Sequence, residues 1–368
     1  MLLDAEILKG VGKKIFHSMG SSPNEADIIS KHLVKANLMG HDSHGVGMIP
    51  IYVKNFHEKI LFPNIVPEVT VNEPSILVFN GKRGFGQSVA HNAMRQAIKR
   101  CKKTGLVLMG LNNCGHMGRI GSYGEQSTAA GLISIHFVNV TDRSPAVAPF
   151  GGSSARFGTN PICLAVPQTS TDDPLILDFA TSKVAVGKIR VAINKNEKLP
   201  DGIVIDFSGK PSNDPNVMKQ HIYPNETSDI REGAVLPMGG YKGFGLSFFC
   251  EIFGGILSGG TTIQQKNKRL GGIINNMSTI IIDPEILVEN AIFQTELTDL
   301  IDFVKSSSQV DPDRPILVPG EVERQRLKSR KISGIEIDDQ TFDQIINAAK
   351  SLNINETYLD SLSHNTTS

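Results

Sequence analysis

The sequence predicts an α/β protein whose helical ends pack against each other. Apolar, strand-like runs alternate with helix-like segments through the middle of the chain, which is typical of an α/β architecture. The short terminal helices cannot bury their apolar faces alone, so we expect them to pack together. A length of 368 residues is too great for one simple core and favours two or three domains or subdomains.

Local patterns predict the individual elements. An apolar stripe at helical spacing predicts a first helix over 4–19, and a capping box with proline at the first helical position predicts a second helix over 23–38. The other predicted helices are 84–103, a polar and alanine-rich segment ending at Gly131, 241–260, a helix that includes 299–305, and 340–352. The predicted strands are 75–79, 106–111, 132–140, a strand after a loop within 156–167, 175–182, 279–282 and 315–318, with an excursion of short strands over 194–224.

Composition excludes several classes of protein. Lysine plus arginine equals aspartate plus glutamate at 37 each, which argues against a nucleic-acid or anionic-membrane binder. Four cysteines without C-x-x-C spacing fit reduced thiols, and neither a disulfide framework nor a metal site is indicated. The start lacks a signal-peptide pattern, and no apolar run is long enough to span a membrane. We therefore expect a cytoplasmic protein.

The stretch 112–126, NNCGHMGRIGSYGEQ, carries the strongest functional signal. It places His116 among four glycines spaced three apart, between an apolar strand and a helix. α/β proteins usually bind ligands at such junctions, because backbone N–H groups and the positive helix end point outward there. A neutral imidazole can take a proton from an alcohol as a hydride leaves its carbon. The alternative is an ordinary loop histidine among packing glycines, and the local pattern leaves both open.

Two arginines and a second histidine are further candidates. His44 follows Ser43 in a glycine-rich loop, and Arg119 and Arg156 also lie in glycine-rich loops. A guanidinium can supply two parallel donors to a carboxylate, although each arginine could equally be a surface or structural residue.

Polar clusters also occur at predicted strand ends and before one helix. The clusters at 158–161, 178–182 and 319–321 contain small hydroxyl, amide and carboxylate groups that suit ribose and amide recognition. The alternative is ordinary turn and capping chemistry. The glycines of 239–245, with Lys242, could form an anion site or simply start a helix.

Taken in order, several stretches resemble the type 2 malate/L-lactate dehydrogenase family. They are GHDSHG at 40–45, the His116 stretch, GTNP at 158–161, DFATS at 178–182, GYKGFGL at 240–246 and PGE at 319–321. The resemblance spans about 4–352. It implies an α/β fold that binds NAD or NADP without a Rossmann fold. This agrees with the failed dinucleotide fingerprint at 84–89, where Val89 replaces the third glycine.

The family resemblance implies a function and a set of site residues. The reaction interconverts 2-oxo and 2-hydroxy acids in a homodimer whose active site lies near the subunit contact, with His116 as the catalytic acid/base. Met48 stands where many members carry the arginine that binds the substrate carboxylate, so we expect Arg119 or Arg156, with Ser43, to bind substrate. The predicted cofactor contacts are His44, Gly118, Arg119, Ile120, Asn160, Ile176, Leu177, Asp178, Phe179, Ala180, Tyr241, Asn275, Pro319, Gly320 and Glu321.

These patterns also predict the domain organisation. We expect an N-terminal helical segment over 1–70, a cofactor-binding α/β domain over 71–305, a C-terminal segment over 306–362 that packs on the N-terminal helices, and a polar tail over 363–368. Two other functions remain open at this point. One is a cyclic imino acid reductase or ureidoglycolate-type dehydrogenase of the same fold, and the other is a non-catalytic nucleotide-binding protein.

Overall fold

The computed structural model describes residues 1–169, 171–222 and 232–355. The polar tail and the end of the predicted C-terminal segment lie outside these residues. The strands are β1 (Leu2–Leu3), β2 (Glu68–Glu73), β3 (Ile76–Asn80), β4 (Leu106–Gly115), β5 (Ile133–Thr141), β6 (Pro161–Val166), β7 (Leu175–Ala180), β8 (Val204–Ile205), β9 (Pro211–Ser212), β10 (Ala234–Val235), β11 (Ile274–Ile282) and β12 (Ile335–Glu336).

Helices occur at both ends of the chain and between the strands. They are α1 (Ala5–Ser18), α2 (Pro23–Leu38), α3 (Ile49–His57), α4 (Gly86–Thr104), α5 (Gly121–Thr128), α6 (Val186–Lys195), α7 (Lys219–Ile222), α8 (Tyr241–Cys250), α9 (Asn290–Lys305), α10 (Glu321–Ser333) and α11 (Asp339–Ser351). A π-helical turn, Glu251–Leu257, continues α8. Short 3-10 turns precede α3 at Asp42–His44 and Val46–Met48.

A seven-stranded sheet organises the middle of the chain, in the order β2-β3-β4-β11-β5-β6-β7. The β3–β4 pair is parallel and the other pairs are antiparallel. A Rossmann fold needs a mostly parallel sheet, so this topology confirms the predicted non-Rossmann α/β class. Apolar residues of α4 and α5 pack in one core with β4, β5 and β11, and α8 with its π-helical turn lies against β5 and β11.

A second core joins the two ends of the chain. Buried residues of α1, α2 and α3 form one cluster with Ile335, Ile337, Phe342 and Ile345, which lie in or beside β12 and α11. The amino group of Met1 also donates to the Ile337 carbonyl. These contacts confirm that the terminal helical segments pack together; the domain boundaries themselves remain a prediction.

A third, smaller core lies in the excursion after β7. Residues of α6 pack with the three-stranded sheet β10-β8-β9 and with residues 146–157. Strands β8 and β9 lie within the excursion of short strands predicted over 194–224, whereas β10 lies beyond it. Helix α6 was not predicted, because Val186, Ile189, Val191 and Ile193 are all β-branched residues that do not favour a helix.

The predicted strand at 315–318 is wrong, because these residues form no strand. Pro315 has no N–H to donate, and the Val318 N–H donates to the Glu321 carboxylate at 2.8 Å. The segment instead leads into α10, which the sequence pattern did not predict.

Gly86 packs the start of α4 directly against the backbone at the end of β4. A Cβ at this position would lie 2.2 Å from the Gly115 carbonyl oxygen and 2.3 Å from that of His116. The glycine of the failed fingerprint therefore permits a close approach of two backbones. It fixes the position of His116 relative to α4.

We predict that Gly86→Ala destabilises the protein by about 1–3 kcal/mol, because the added methyl group must displace backbone. Gly10→Ala is the matched control, since a Cβ on Gly10 in α1 meets nothing within 4 Å. That control should be neutral or more stable by about 0.5–1 kcal/mol. Urea unfolding of both variants checks this, and equal stability of the two would contradict the packing argument.

Candidate active site

Two adjoining cavities lie where the N-terminal segment meets the ends of β4 and β7. The larger, of about 690 Å³, extends from the loop at 40–44 past β7 to α6, and the smaller, of about 150 Å³, is lined by His116. Residues that line both cavities include Ser43, His44, Gly118, Ile120 and Thr159. A ligand that extends from one cavity into the other would therefore pass the two histidines.

His116 follows β4 and is held by a tyrosine from another part of the chain. The Tyr52 hydroxyl on α3 lies 2.7 Å from His116 Nδ1, and Gln87 Nε2 on α4 donates to the same hydroxyl at 2.7 Å. No described residue bonds the other ring nitrogen, Nε2. Burial is the main cause that holds the pKa of His116 well below 6.5, and His44 and His32 lower it further. The ring is therefore neutral at neutral pH.

His44 lies directly beside His116. The two rings are stacked with centroids 5.4 Å apart and an interplanar angle of 22°. Ser43 Oγ lies 2.8 Å from His44 Nδ1, which fixes the ring edge. Burial lowers the pKa of His44 to about 4, although Asp178 opposes the shift. Two stacked, buried rings disfavour a charge on both at once, so at most one of them is a charged imidazolium.

The loop after His116 packs closely against the buried His32. Gly118 has φ +71°, and a Cβ there would lie 2.5 Å from His32 Nε2. The Arg119 N–H donates to His32 Nε2 at 3.0 Å. Burial, followed by the charge of Arg119, lowers the pKa of His32 to about 3, so the ring remains a neutral acceptor.

Arg119 itself is already paired. Its guanidinium is buried and donates to Glu125 at 2.9 Å, and Lys35 also pairs with Glu125. Its Nε–H is buried without a hydrogen-bond partner among the described residues. Arg119 lines the larger cavity only, so a substrate carboxylate in the smaller one would not meet it.

The structure brings part of the predicted site together. Asp178 accepts the Gly121 N–H at 2.7 Å, and Asn275 accepts the Met117 N–H at 2.9 Å, so both support the His116 loop. The predicted residues that line the two cavities are Ser43, His44, His116, Gly118, Arg119, Ile120, Asp178, Phe179, Ala180 and Asn275.

The other predicted residues lie outside the cavities. Arg156 is exposed and donates to the Ala155 carbonyl, and Tyr241 is 63% exposed against Phe150. Residues away from both cavity walls are Arg156, Asn160, Ile176, Leu177, Tyr241, Pro319, Gly320 and Glu321. Asn160 is buried beside the cavities, where it donates to Glu251. Pro319 accepts from the Ile176 N–H, and Glu321 pairs with Lys305.

Sequence reasoning missed several residues that line the smaller cavity or hold His116. They are Tyr52, Gln87, Arg143, Arg190 and His221. Arg143 follows the end of β5, so the strand-end rule used for other clusters could have found it. Tyr52 and His221 have no local signal, since their partners lie 64 and 78 residues away.

The described residues show neither a cluster of metal-ligand side chains nor a membrane-spanning helix. No three His, Cys, Asp or Glu side chains group there as a set of metal ligands. No helix in those ranges has both the length and the apolar composition needed to cross a membrane.

Comparison with known proteins identifies the family. The sequence profile described as malate/L-lactate dehydrogenase matches residues 3–346. The chain belongs to the malate/L-lactate dehydrogenase family. This confirms the family and the oxidoreductase class predicted from the motifs.

Individual relatives cover nearly the whole chain. Hydroxycarboxylate dehydrogenase B of Escherichia coli is 40% identical over 96% of this chain and 95% of its own length. L-lactate dehydrogenase of Cupriavidus necator is 33% identical over 89% and 91%. The solved sulfolactate dehydrogenase of Methanocaldococcus jannaschii superposes with a TM-score of 0.83 at 32% identity, covering 98% of this chain and 100% of its own.

The burial of His32 predicts that the free energy of unfolding decreases at acidic pH. The unfolded chain binds a proton near pH 6.5, but the folded ring does not until about 3, so stability is lost as pH falls below 6.5. His32→Gln keeps an acceptor for the Arg119 N–H and should remove up to about 1.4 kcal/mol of this loss per pH unit.

Urea unfolding at about pH 7 and about pH 5.5 measures the effect. His57→Gln on the exposed end of α3 is the control and should keep the wild-type slope. If His32→Gln also keeps that slope, the folded His32 ring titrates normally and the account of its burial is wrong.

Proposed function

We propose that this protein is a nicotinamide-dependent dehydrogenase that interconverts 2-oxo and 2-hydroxy acids. The observation that carries the proposal is the position of His116 in the wall of the small cavity that adjoins the larger one, with one ring nitrogen held and the other not bonded by the described residues. The names of the family and its relatives support the reaction class.

The larger cavity suits a nicotinamide nucleotide. Its basic residues could neutralise phosphates, and they are Lys183, Lys188, Lys198 and Arg326. The buried, unpartnered Nε–H of Arg119 beside this cavity is a donor that a ligand could satisfy. When bound, the nicotinamide ring would supply or accept the hydride at substrate C2. The basic residues favour neither NAD nor NADP, so both remain candidates.

His116 would move the proton. In oxidation of a hydroxy acid, Nε2 takes the hydroxyl proton, which requires the ring hydrogen to be on Nδ1. The Tyr52 oxygen can then accept from Nδ1–H as well as from Gln87 Nε2. In reduction, the protonated ring returns its Nε2 proton to the oxo group. Tyr52 therefore acts as a positioning residue that fixes which nitrogen faces the substrate.

The smaller cavity limits the size and polarity of the substrate. Part of its wall is apolar, formed by Met48, Ile51, Val138 and Ile273. Such a wall would exclude water from the carbon that receives hydride, which strengthens electrostatic contacts with the substrate. A volume of about 150 Å³ suits a small acid.

A panel of 2-oxo acids and cyclic imines, assayed with NADH and with NADPH, tests the proposal. We expect turnover of at least one 2-oxo acid, and His116→Gln should lower it by about two to four orders of magnitude while cofactor affinity stays unchanged. Tyr52→Phe should lower it by about tenfold or more.

The pH profile gives a second readout. Because the pKa of His116 lies well below 6.5, kcat/KM for hydroxy acid oxidation should not fall until the pH is below 6.5. Turnover of imines without any 2-oxo acid would support the alternative reductase instead. Tight NADH binding without any turnover would support a non-catalytic protein.

We also propose that two copies of the chain associate through α8 and its π-helical turn. One side of this helix packs on the sheet, where a Cβ on Gly254 would lie 2.7 Å from the Asn139 nitrogen. The other side exposes Phe248, Phe249, Ile256 and Leu257, each between 47% and 60%. A helix that is apolar all round is normally buried. A homodimer would cover this face, and the four buried free thiols suit a cytoplasmic location.

The dimer predicts that Phe249→Asp combined with Ile256→Asp converts the protein to a monomer, because two carboxylates would be buried at the contact. Light scattering after gel filtration measures the mass. Ile332→Asp on α10 is the control, since Ile332 is 91% exposed and lies off this face. A monomeric wild-type protein, or a double variant that stays dimeric, would contradict the proposed contact.

A further inference from the structure

Arg143 is a cation in the smaller cavity that has no carboxylate partner among the described residues. Arg143 lines this cavity together with His116, and no carboxylate among the described residues lies within ion-pair distance of it. Burial lowers the pKa of Arg143, which reflects the cost of holding its charge away from water. Guanidinium nevertheless stays protonated in proteins. The cavity therefore contains a positive charge that a bound anion would stabilise.

His221 holds this guanidinium without neutralising it. Arg143 Nη2 lies 2.7 Å from His221 Nε2, and because a guanidinium can only donate, Nε2 must be the acceptor. Burial, followed by the charge of Arg143, lowers the pKa of His221 to about 3, so the ring is neutral at working pH. The bond fixes one edge of the guanidinium and leaves its other N–H groups for a ligand.

The other candidate arginines fit a carboxylate less well. Arg119 is paired with Glu125, and Arg156 is exposed and lines neither cavity. Arg190 lines the smaller cavity beside Gly47, where its Nη2 would lie 3.3 Å from an added Cβ. No described residue bonds its guanidinium, so it is less fixed than Arg143. Met48, in the same wall, contributes no charge.

Arg143 also acts directly on the ring that moves the proton. Its charge is among the causes that lower the pKa of His116. Arg143 and His116 also line the same cavity of about 150 Å³. A carboxylate held by Arg143 would therefore bring the adjacent oxo or hydroxyl group to His116.

We infer that Arg143, held in position by His221, binds the carboxylate of the 2-oxo acid in the cavity beside His116. The inference rests on the proposed function and adds the group that recognises the acid. It replaces the sequence-based choice of Arg119 or Arg156. A planar guanidinium accepts a carboxylate through two parallel N–H donors, so Arg143 would select acids over neutral ketones.

Paired substrates test the role of Arg143. Pyruvate and pyruvamide differ in the charged carboxylate, and kcat/KM is measured for both with wild type, Arg143→Gln and the control Arg95→Gln, an exposed arginine on α4. Arg143→Gln should lower kcat/KM for pyruvate on the order of 100-fold and leave pyruvamide nearly unchanged. The dissociation constant of NADH, from its fluorescence, should stay at the wild-type value.

If Arg143→Gln lowers kcat/KM by the same factor for both substrates, or keeps the wild-type preference for pyruvate, Arg143 does not bind the carboxylate, and the proposed function stays intact. A wild-type protein that reduces neither pyruvate nor any other 2-oxo acid would overturn both the proposed function and the role of Arg143. Arg95→Gln should match wild type in each assay.

A second pair of variants tests His221 as a positioning residue. His221→Gln places an amide oxygen where it can accept from Arg143, and His221→Leu removes the acceptor. His221→Leu should raise KM for pyruvate about tenfold with a smaller change in kcat, and His221→Gln should stay close to wild type. Equal KM values for the two variants would overturn the positioning role, and this comparison remains decisive if Arg143→Gln fails to fold.

Discussion

The contact between Tyr52 and His116 joins the parts of the molecule on which the site depends. Tyr52 lies on α3 within the core of terminal helices, Gln87 lies at the start of α4, and His116 follows the central strand β4. The ring is therefore oriented only when the terminal helices have packed on the sheet. The terminal segment completes the site as well as stabilising the fold.

A buried network of polar side chains around Glu251 also supports the wall of the cavities. Glu251, in the π-helical turn, accepts from Asn139 at 3.0 Å and from Asn160 at 2.9 Å. Burial raises the pKa of Glu251, and these amide donors oppose that shift. Asn160 lies between Thr159 and Pro161, which line the cavities, so the network holds a cavity wall in place. The Glu251 carboxylate in the π-helical turn thus bonds Asn139 on β5 and Asn160 directly before β6.

Much of the fold followed from the sequence because its signals are local. Helices α1, α2 and α11 were predicted from apolar spacing and caps, and Ser22 and Asp338 do cap α2 and α11. His116 was found because a histidine among glycines at a strand end is a local pattern. Helix α6 and the false strand at 315–318 show the limit, since β-branched residues and proline mislead when tertiary contacts decide the outcome.

The residues that hold His116 and Arg143 in position could not be predicted from local sequence patterns. Tyr52 and His221 meet their partners through pairings far apart in the sequence, and no periodicity encodes such contacts, whereas Arg143 at least follows a strand end. The glycine at 86 was set aside as a failed fingerprint, yet it permits the backbone contact that positions His116. In physical terms, the sequence showed which residue types were present, and the packing of two cores determined which of them meet.

The most direct test of this account is the tautomer of His116. Nitrogen-15 NMR of histidine-labelled protein at neutral pH distinguishes a protonated ring nitrogen from an unprotonated one, and His116→Gln identifies the signal. We expect Nδ1 of His116 to carry the hydrogen and Nε2 to be bare, with this preference weakened in Tyr52→Phe. A neutral ring protonated on Nε2, or a preference unchanged by Tyr52→Phe, would contradict the claim that Tyr52 directs the reactive nitrogen to the substrate.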